Sequence, residues 1–133
     1  MTKRNYIFYI AVCAIFLGTK TTLAGVENSC SQPTYLAPFA ETIAATSTTK
    51  TSTQFMGKVN ANNVPTTYWF EYGISKNLNS NTGFIYAGKN NHPSEVAISA
   101  NDLVPNTTYF YKIVAQNSIG TSTSEILSFK TNN

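Results

Sequence analysis

The chain has little cysteine, little charge and almost no titratable chemistry. Its 133 residues contain two cysteines, a single histidine (His92) and a single aspartate (Asp102). A nucleophile with its base, or a working carboxylate pair, needs two groups brought to one spot. Glu71, Glu95 and Glu125 instead fall on different predicted strands with no shared cleft. One histidine and scattered carboxylates match no metal-ligand spacing, so neither catalytic residues nor a metal or cofactor is expected. Helical periodicity never persists long enough to make a helix. No Arg-Gly-Asp tripeptide is present, which removes an integrin-directed adhesin, and there is no internal repeat or low-complexity tract.

What the N-terminus does carry is a leader pattern. Residues 1–24 read as two basic residues (Lys3, Arg4), an apolar run from Ile7 to Leu17, and a short polar stretch ending Thr22-Leu23-Ala24. That is the build of a secretory signal peptide, and the run is short for a bilayer span. The expectation is export to the cell envelope (periplasm or cell surface) or beyond it, with no membrane span after cleavage. An uncleaved anchor is the alternative. Cleavage removes Lys3, Arg4 and Lys20, leaving six basic and six acidic residues and a formal charge of zero. Such a surface has no phosphate-neutralising stripe, so nucleic acid is not an expected partner. Cys13 leaves with the leader. Cys30 is then without an intrachain mate, and is either a free thiol or one half of an intermolecular disulfide in a homodimer. The preceding Glu27-Asn28-Ser29 is no lipobox.

Residues 25–41, with Pro33 and Pro38, read as a tail or linker, and residues 42–133 as the folded domain. There Thr, Ser, Tyr, Val and Ile dominate in short alternating runs separated by turn residues, the pattern of an all-β sandwich. Seven strands are predicted: Thr42–Ser47, Ser52–Val59, Thr67–Tyr72, Gly83–Tyr86, Glu95–Ala100, Thr108–Gln116 and Ser124–Lys130. Tyr109, opening the sixth, is placed to hold a corner by bonding its hydroxyl back to the upstream backbone. Leu103 would fill the core beneath it, and Pro105 would fix the turn. Asn117 and Gly120 make the following hairpin, with Gly120 supplying a positive φ.

These pieces, taken together, resemble the fibronectin type III domain, in the form found in exported bacterial proteins. The residues that carry the likeness are Tyr68-x-Phe70-x-Tyr72-Gly73, Leu103-x-Pro105-Asn106-Thr107-Thr108-Tyr109, Tyr111-x-Ile113-x-Ala115-x-Asn117-x-x-Gly120 and Phe129-Lys130-Thr131. The resemblance spans residues 42–131 and implies a seven-stranded immunoglobulin-like β-sandwich. It departs on the second strand, where many members bury a Trp and this chain has Phe55. Asn106-Thr107-Thr108 is formally a glycosylation sequon, but the corner motif already accounts for it.

By the family's strand order the third, sixth and seventh strands lie side by side. If Tyr68, Phe70, Tyr111, Ile113, Leu127 and Phe129 face inward, then Trp69, Phe110, Val114 and Ile126 face outward beside Glu71, Lys112 and Lys130. A shared apolar face of that kind marks a contact surface, and Trp with flanking aromatics is interface-anchor material. The expected function is non-enzymatic binding of a protein partner. A carbohydrate-binding module using Trp69, Phe84 and Tyr86, and a self-associating protein, are the alternatives. The bland account has the tail, with Tyr35, Leu36 and Phe39, folded over the face.

Overall fold

The structure, a computed structural model, describes residues 34–133. The leader, Cys13, Cys30 and the first part of the tail lie outside the described residues. Within them the chain is all-β: β1 (Phe39–Thr46), β2 (Thr53–Asn60), β3 (Thr66–Gly73), β4 (Ser80–Asn81), β5 (Ile85–Gly88), β6 (Ser94–Ala100), β7 (Thr108–Gln116), β8 (Thr121–Thr123) and β9 (Leu127–Lys130). No helix among the described residues is long and apolar enough to cross a membrane.

Two antiparallel sheets form. One has the order β1-β2-β6; in the other, β3 and β7 are central, with β4 and β5 against β3 and with β8 and β9 against β7. This is a fibronectin type III-like sandwich, and β3 and β7, the third and sixth strands of the expectation, are neighbours as that order requires. The alternation seen in the sequence decides which face is buried. Phe55, Gly57 and Val59 of β2 point inward, as do Tyr68 and Phe70 of β3 and Tyr109, Tyr111, Ile113 and Ala115 of β7. Phe55 sits at the centre, with the rings of Phe70, Tyr72, Tyr111 and Phe129 around it at 4.9–5.8 Å between centroids.

The corner before β7 is held by polar contacts. The Tyr109 hydroxyl accepts a hydrogen bond from the Val104 N–H at 3.0 Å, and Leu103 is buried below it. The buried Thr131 hydroxyl donates to the Val104 carbonyl at 2.7 Å and accepts from the Thr107 N–H at 2.9 Å, tying the C-terminus to the same corner.

Several boundaries differ from the expectation. The first strand begins at Phe39, directly after Pro38, so the last three residues assigned to the tail pair with β2. The last predicted strand is two: β8 and β9 both pair with β7, and the chain breaks between them at Ser124–Ile126. Ser124 holds that break, its Oγ donating to the Ile113 carbonyl at 3.0 Å. Its neighbour Thr42 reaches across from β1, and the Ile113 N–H donates to both hydroxyls at 3.1 Å. The β7–β8 hairpin also works differently. Gly120 does not have a positive φ. The turn is closed by the Asn117 carboxamide oxygen, which accepts from the Ile119 and Gly120 N–H groups at 2.9 and 3.1 Å.

Two buried phenols make the fold sensitive to alkali. Burial pushes Tyr68 up from its ordinary pKa, and burial also raises Tyr111, a backbone hydrogen bond at Ala45 offsetting part of that rise. Both folded values therefore exceed the unfolded value of about 10. The stability held by the neutral phenols is fully present below that pH and is lost as pH rises through the raised folded values. Denaturant midpoints measured across this range should fall, and Tyr111→Phe should lessen the fall. A slope unchanged by that substitution would mean Tyr111 does not contribute.

Candidate functional site

The outward face of the β3–β7 sheet follows from the register. Trp69 pairs with Val114, Glu71 with Lys112, and Gly73 with Phe110. On the far side of β7, Val114 meets Thr123 and Phe110 meets Ser128. Every second residue of β3 and β7 thus points away from the core, and one row of side chains runs across both strands.

The centre of this row is polar and tightly arranged. The Lys112 ammonium lies 3.1 Å from Glu71 Oε2. The Trp69 indole N–H donates to Glu71 Oε1 at 3.3 Å. Glu71 thus uses both oxygens, one for the cation and one for the indole. At this exposure the ion pair adds little to stability; its consequence is to fix the orientation of the Trp69 ring.

Phe84 completes the cluster. Its ring stands edge-on to Trp69, 4.8 Å between centroids and 68° between planes. The chain brings it there through Thr82 and Gly83. The Thr82 N–H donates to the Phe70 carbonyl at 3.0 Å, and the Thr82 hydroxyl accepts from the Phe70 N–H at 3.0 Å. Gly83 then turns with φ +81°, a conformation that suits glycine, and Asn81 Oδ1 accepts its N–H. Phe84 remains 69% exposed and Tyr86, opposite Thr67 on the same face, 64% exposed.

The residues singled out from the sequence are therefore not one apolar patch. Val114 occupies the outward row but is only 4% exposed, lying between Trp69 and Thr123; it is a floor and not a contact residue. Phe110 lies four residues along β7 from Val114, roughly 13 Å at strand rise, with Lys112 between them. Ile126 is exposed in the β8–β9 break. The ion pair divides the face into an aromatic half, Trp69 with Phe84 and Tyr86, and a separate Phe110. Phe84 was grouped with Trp69 and Tyr86 as a surface aromatic, but its ring contact with Trp69 was not legible, because no periodicity carries across a glycine turn.

Among the described residues, the tail does not cover the face either. Of its described part, Tyr35, Leu36 and Phe39 are each about half exposed. The Leu36 and Ala37 carbonyls accept from Asn117 Nδ2 at 2.9 Å and Asn62 Nδ2 at 2.7 Å, at the hairpin end of the sandwich. Among the described residues His92 hydrogen-bonds only Ser94, at 3.3 Å. Among the described residues no group of three or more metal-ligating side chains converges.

Comparison with known proteins supports the fold. No protein-family model matches the chain, and no curated protein matches it significantly. Among solved structures, the sensor domain of the anti-sigma factor RsgI4 from Pseudobacteroides cellulosolvens is similar in two forms. The short form matches with a TM-score of 0.56 and 22% identity, over 77% of this chain and 97% of that one. The long form matches with a TM-score of 0.54 and 23% identity, over 71% and 89%. A human fibronectin type III domain matches with a TM-score of 0.46 and 19% identity, over 77% and 92%. At 22–23% identity the likeness to the sensor domain is one of fold.

Proposed function

We propose that the protein is an exported, non-enzymatic binding domain that offers the aromatic half of its β3–β7 face to a protein partner, in the cell envelope or outside the cell. The observation that carries this is the Trp69–Phe84 pair, an indole held in place by Glu71 beside a phenyl ring left largely exposed. Removing this ring and Phe84 from water stabilises a complex, and the fixed Trp69 loses little rotamer freedom on binding. Trp is among the residues most often found as an interface hot spot. The edge-on geometry favours a protein surface over a glycan, because two rings at 68° do not make the flat shelf on which sugar rings stack. A sensor domain on a similar fold offers a precedent for reception without chemistry, by analogy of fold only.

The test is retention of envelope and culture-supernatant proteins on immobilised residues 25–133. Trp69→Ser should weaken binding of the retained partner at least about tenfold, a loss of about 1.4 kcal/mol or more. Lys58→Glu, on the opposite sheet, should leave it unchanged. Equal retention by wild type and Trp69→Ser would overturn the reading. A self-associating protein would show instead as a dimer that Trp69→Ser or reductant converts to monomer.

A further inference from the structure

At the end of the sandwich away from the tail, a cavity of about 440 Å³ opens between the β3–β4 loop and the corner before β7. Its lining includes Tyr72, Ser75, Asn79, Asn101, Asp102 and the corner residue Tyr109. That volume falls in the range of small-ligand pockets, about 300–1,000 Å³. We propose that it binds a neutral polyhydroxylated ligand, a saccharide unit in chemical class.

Three features of the lining point that way. First, most of the polar side chains here are exposed to solvent and open to a ligand, Ser75, Asn79, Asn101 and Asp102 among them. Within the described residues the Tyr109 hydroxyl is engaged by Val104 and Ser75 Oγ by the Asn77 N–H. The Asn79 and Asn101 amides, the Asp102 carboxylate and the Tyr72 hydroxyl have no protein hydrogen-bond partner there. Amides and a phenol both donate and accept, and a carboxylate accepts strongly, which is the complement of a ligand carrying many hydroxyls. Second, the charge is wrong for the commoner small ligands. No Lys, Arg or His lines the cavity, so nothing there compensates a phosphate or a carboxylate, and one aspartate alone is too few ligands for a divalent cation. Third, the loop shape is set by its backbone. Asp102 has φ +59°, a conformation that aspartate tolerates, and Leu78, buried in the adjoining loop, has φ +49°; such residues also occur away from the cavity, at Ser47, Asn62 and Asn63. Gly73 lets the loop close: a Cβ there would meet the Asn79 N and Leu78 Cα at 3.3 Å.

This site is separate from the Trp69 face, and its test separates the two. Backbone amide shifts of residues 25–133 are followed by NMR during titration with a neutral disaccharide panel, with glycerol, with inorganic phosphate and with glucuronate. Saturable shifts confined to Tyr72–Ser80 and Asn101–Leu103 are expected from at least one disaccharide, with none from phosphate and weaker ones from glucuronate. Glycerol saturating at the same concentration would show that any polyol suffices and would overturn the saccharide assignment. Asp102→Asn keeps a residue that tolerates positive φ while removing the charge, and should weaken binding about tenfold, the worth of one charge-assisted hydrogen bond. Trp69→Ser should leave it unchanged. No saturation with any disaccharide, or saturation abolished by Trp69→Ser and untouched by Asp102→Asn, overturns the proposal.

Discussion

Phe55→Ala is expected to remove about 3–5 kcal/mol of stability, the range for emptying a fully buried aromatic site. The reason is the position of the ring. Phe55 is wholly buried, and four other rings lie within 5.8 Å of it, contributed by β3, β7 and β9 of the opposite sheet. Its removal therefore takes away contacts between the sheets, which the hydrogen bonds within each sheet cannot replace. Domains of this size are stable by about 5–15 kcal/mol, so the loss is a large share, and the melting temperature should fall by more than about 10 °C. Phe55→Trp should not help. The surrounding Phe70, Tyr72, Tyr111 and Phe129 already fill the space that a larger ring occupies in many members of the fold. Overpacking should then cost about 1–3 kcal/mol. Guanidinium unfolding of the three proteins measures both effects. A loss below about 1 kcal/mol for Phe55→Ala would show that the core is not organised around this ring.

Gly57→Ala is expected to cost about 1–2 kcal/mol net even though it improves strand propensity. Two effects oppose each other. Replacing glycine in a strand interior gains about 0.5–1 kcal/mol. Against that, a Cβ at Gly57 would lie 2.9 Å from Ile113 Cδ1, 3.0 Å from the Glu41 carbonyl oxygen and 3.3 Å from Phe70 Cζ. The first contact is with the end of a side chain and can yield. The second is with backbone that is paired in the β1–β2 ladder, where Glu41 faces Lys58. Gly57 also lies where the Thr42 hydroxyl crosses to the Ile113 N–H, so pushing the sheets apart breaks that bond too. Overpacking wins on magnitude. Ile113→Val, which shortens the clashing side chain, should cost about 0.5–1.5 kcal/mol alone and distinctly less in the Gly57→Ala background. A Gly57→Ala variant more stable than wild type would mean that the sheets are not in contact there.

Most of the fold was legible because most of it is written in period two. Thr108–Gln116 was read with its observed ends, since Tyr109, Tyr111, Ile113 and Ala115 alternate without interruption. Tyr68 and Phe70 were read as facing inward for the same reason. What escaped reading lacks that signal. Thr121-Ser122-Thr123 of β8 has no apolar residue to alternate, and the Ser124 break is made by hydroxyl contacts to Ile113 and Thr42, residues distant in sequence. The start of β1 was hidden behind Pro38, which reads as linker although the strand begins one residue later. The candidate face was legible in direction but not in composition. Alternation correctly turned Trp69, Glu71, Lys112 and Val114 to one side. It could not show that Val114 would be covered, that an ion pair would divide the row, or that a glycine turn would bring Phe84 against Trp69.

The most direct test of the binding account is photo-crosslinking in cells from which the protein comes. A benzoylphenylalanine placed at Phe84, beside Trp69, is compared with one placed at Ala97, exposed on β6 of the other sheet. The account predicts a discrete adduct with a different protein from position 84 and none from position 97. An adduct from position 97 alone, or the same adducts from both, would contradict it.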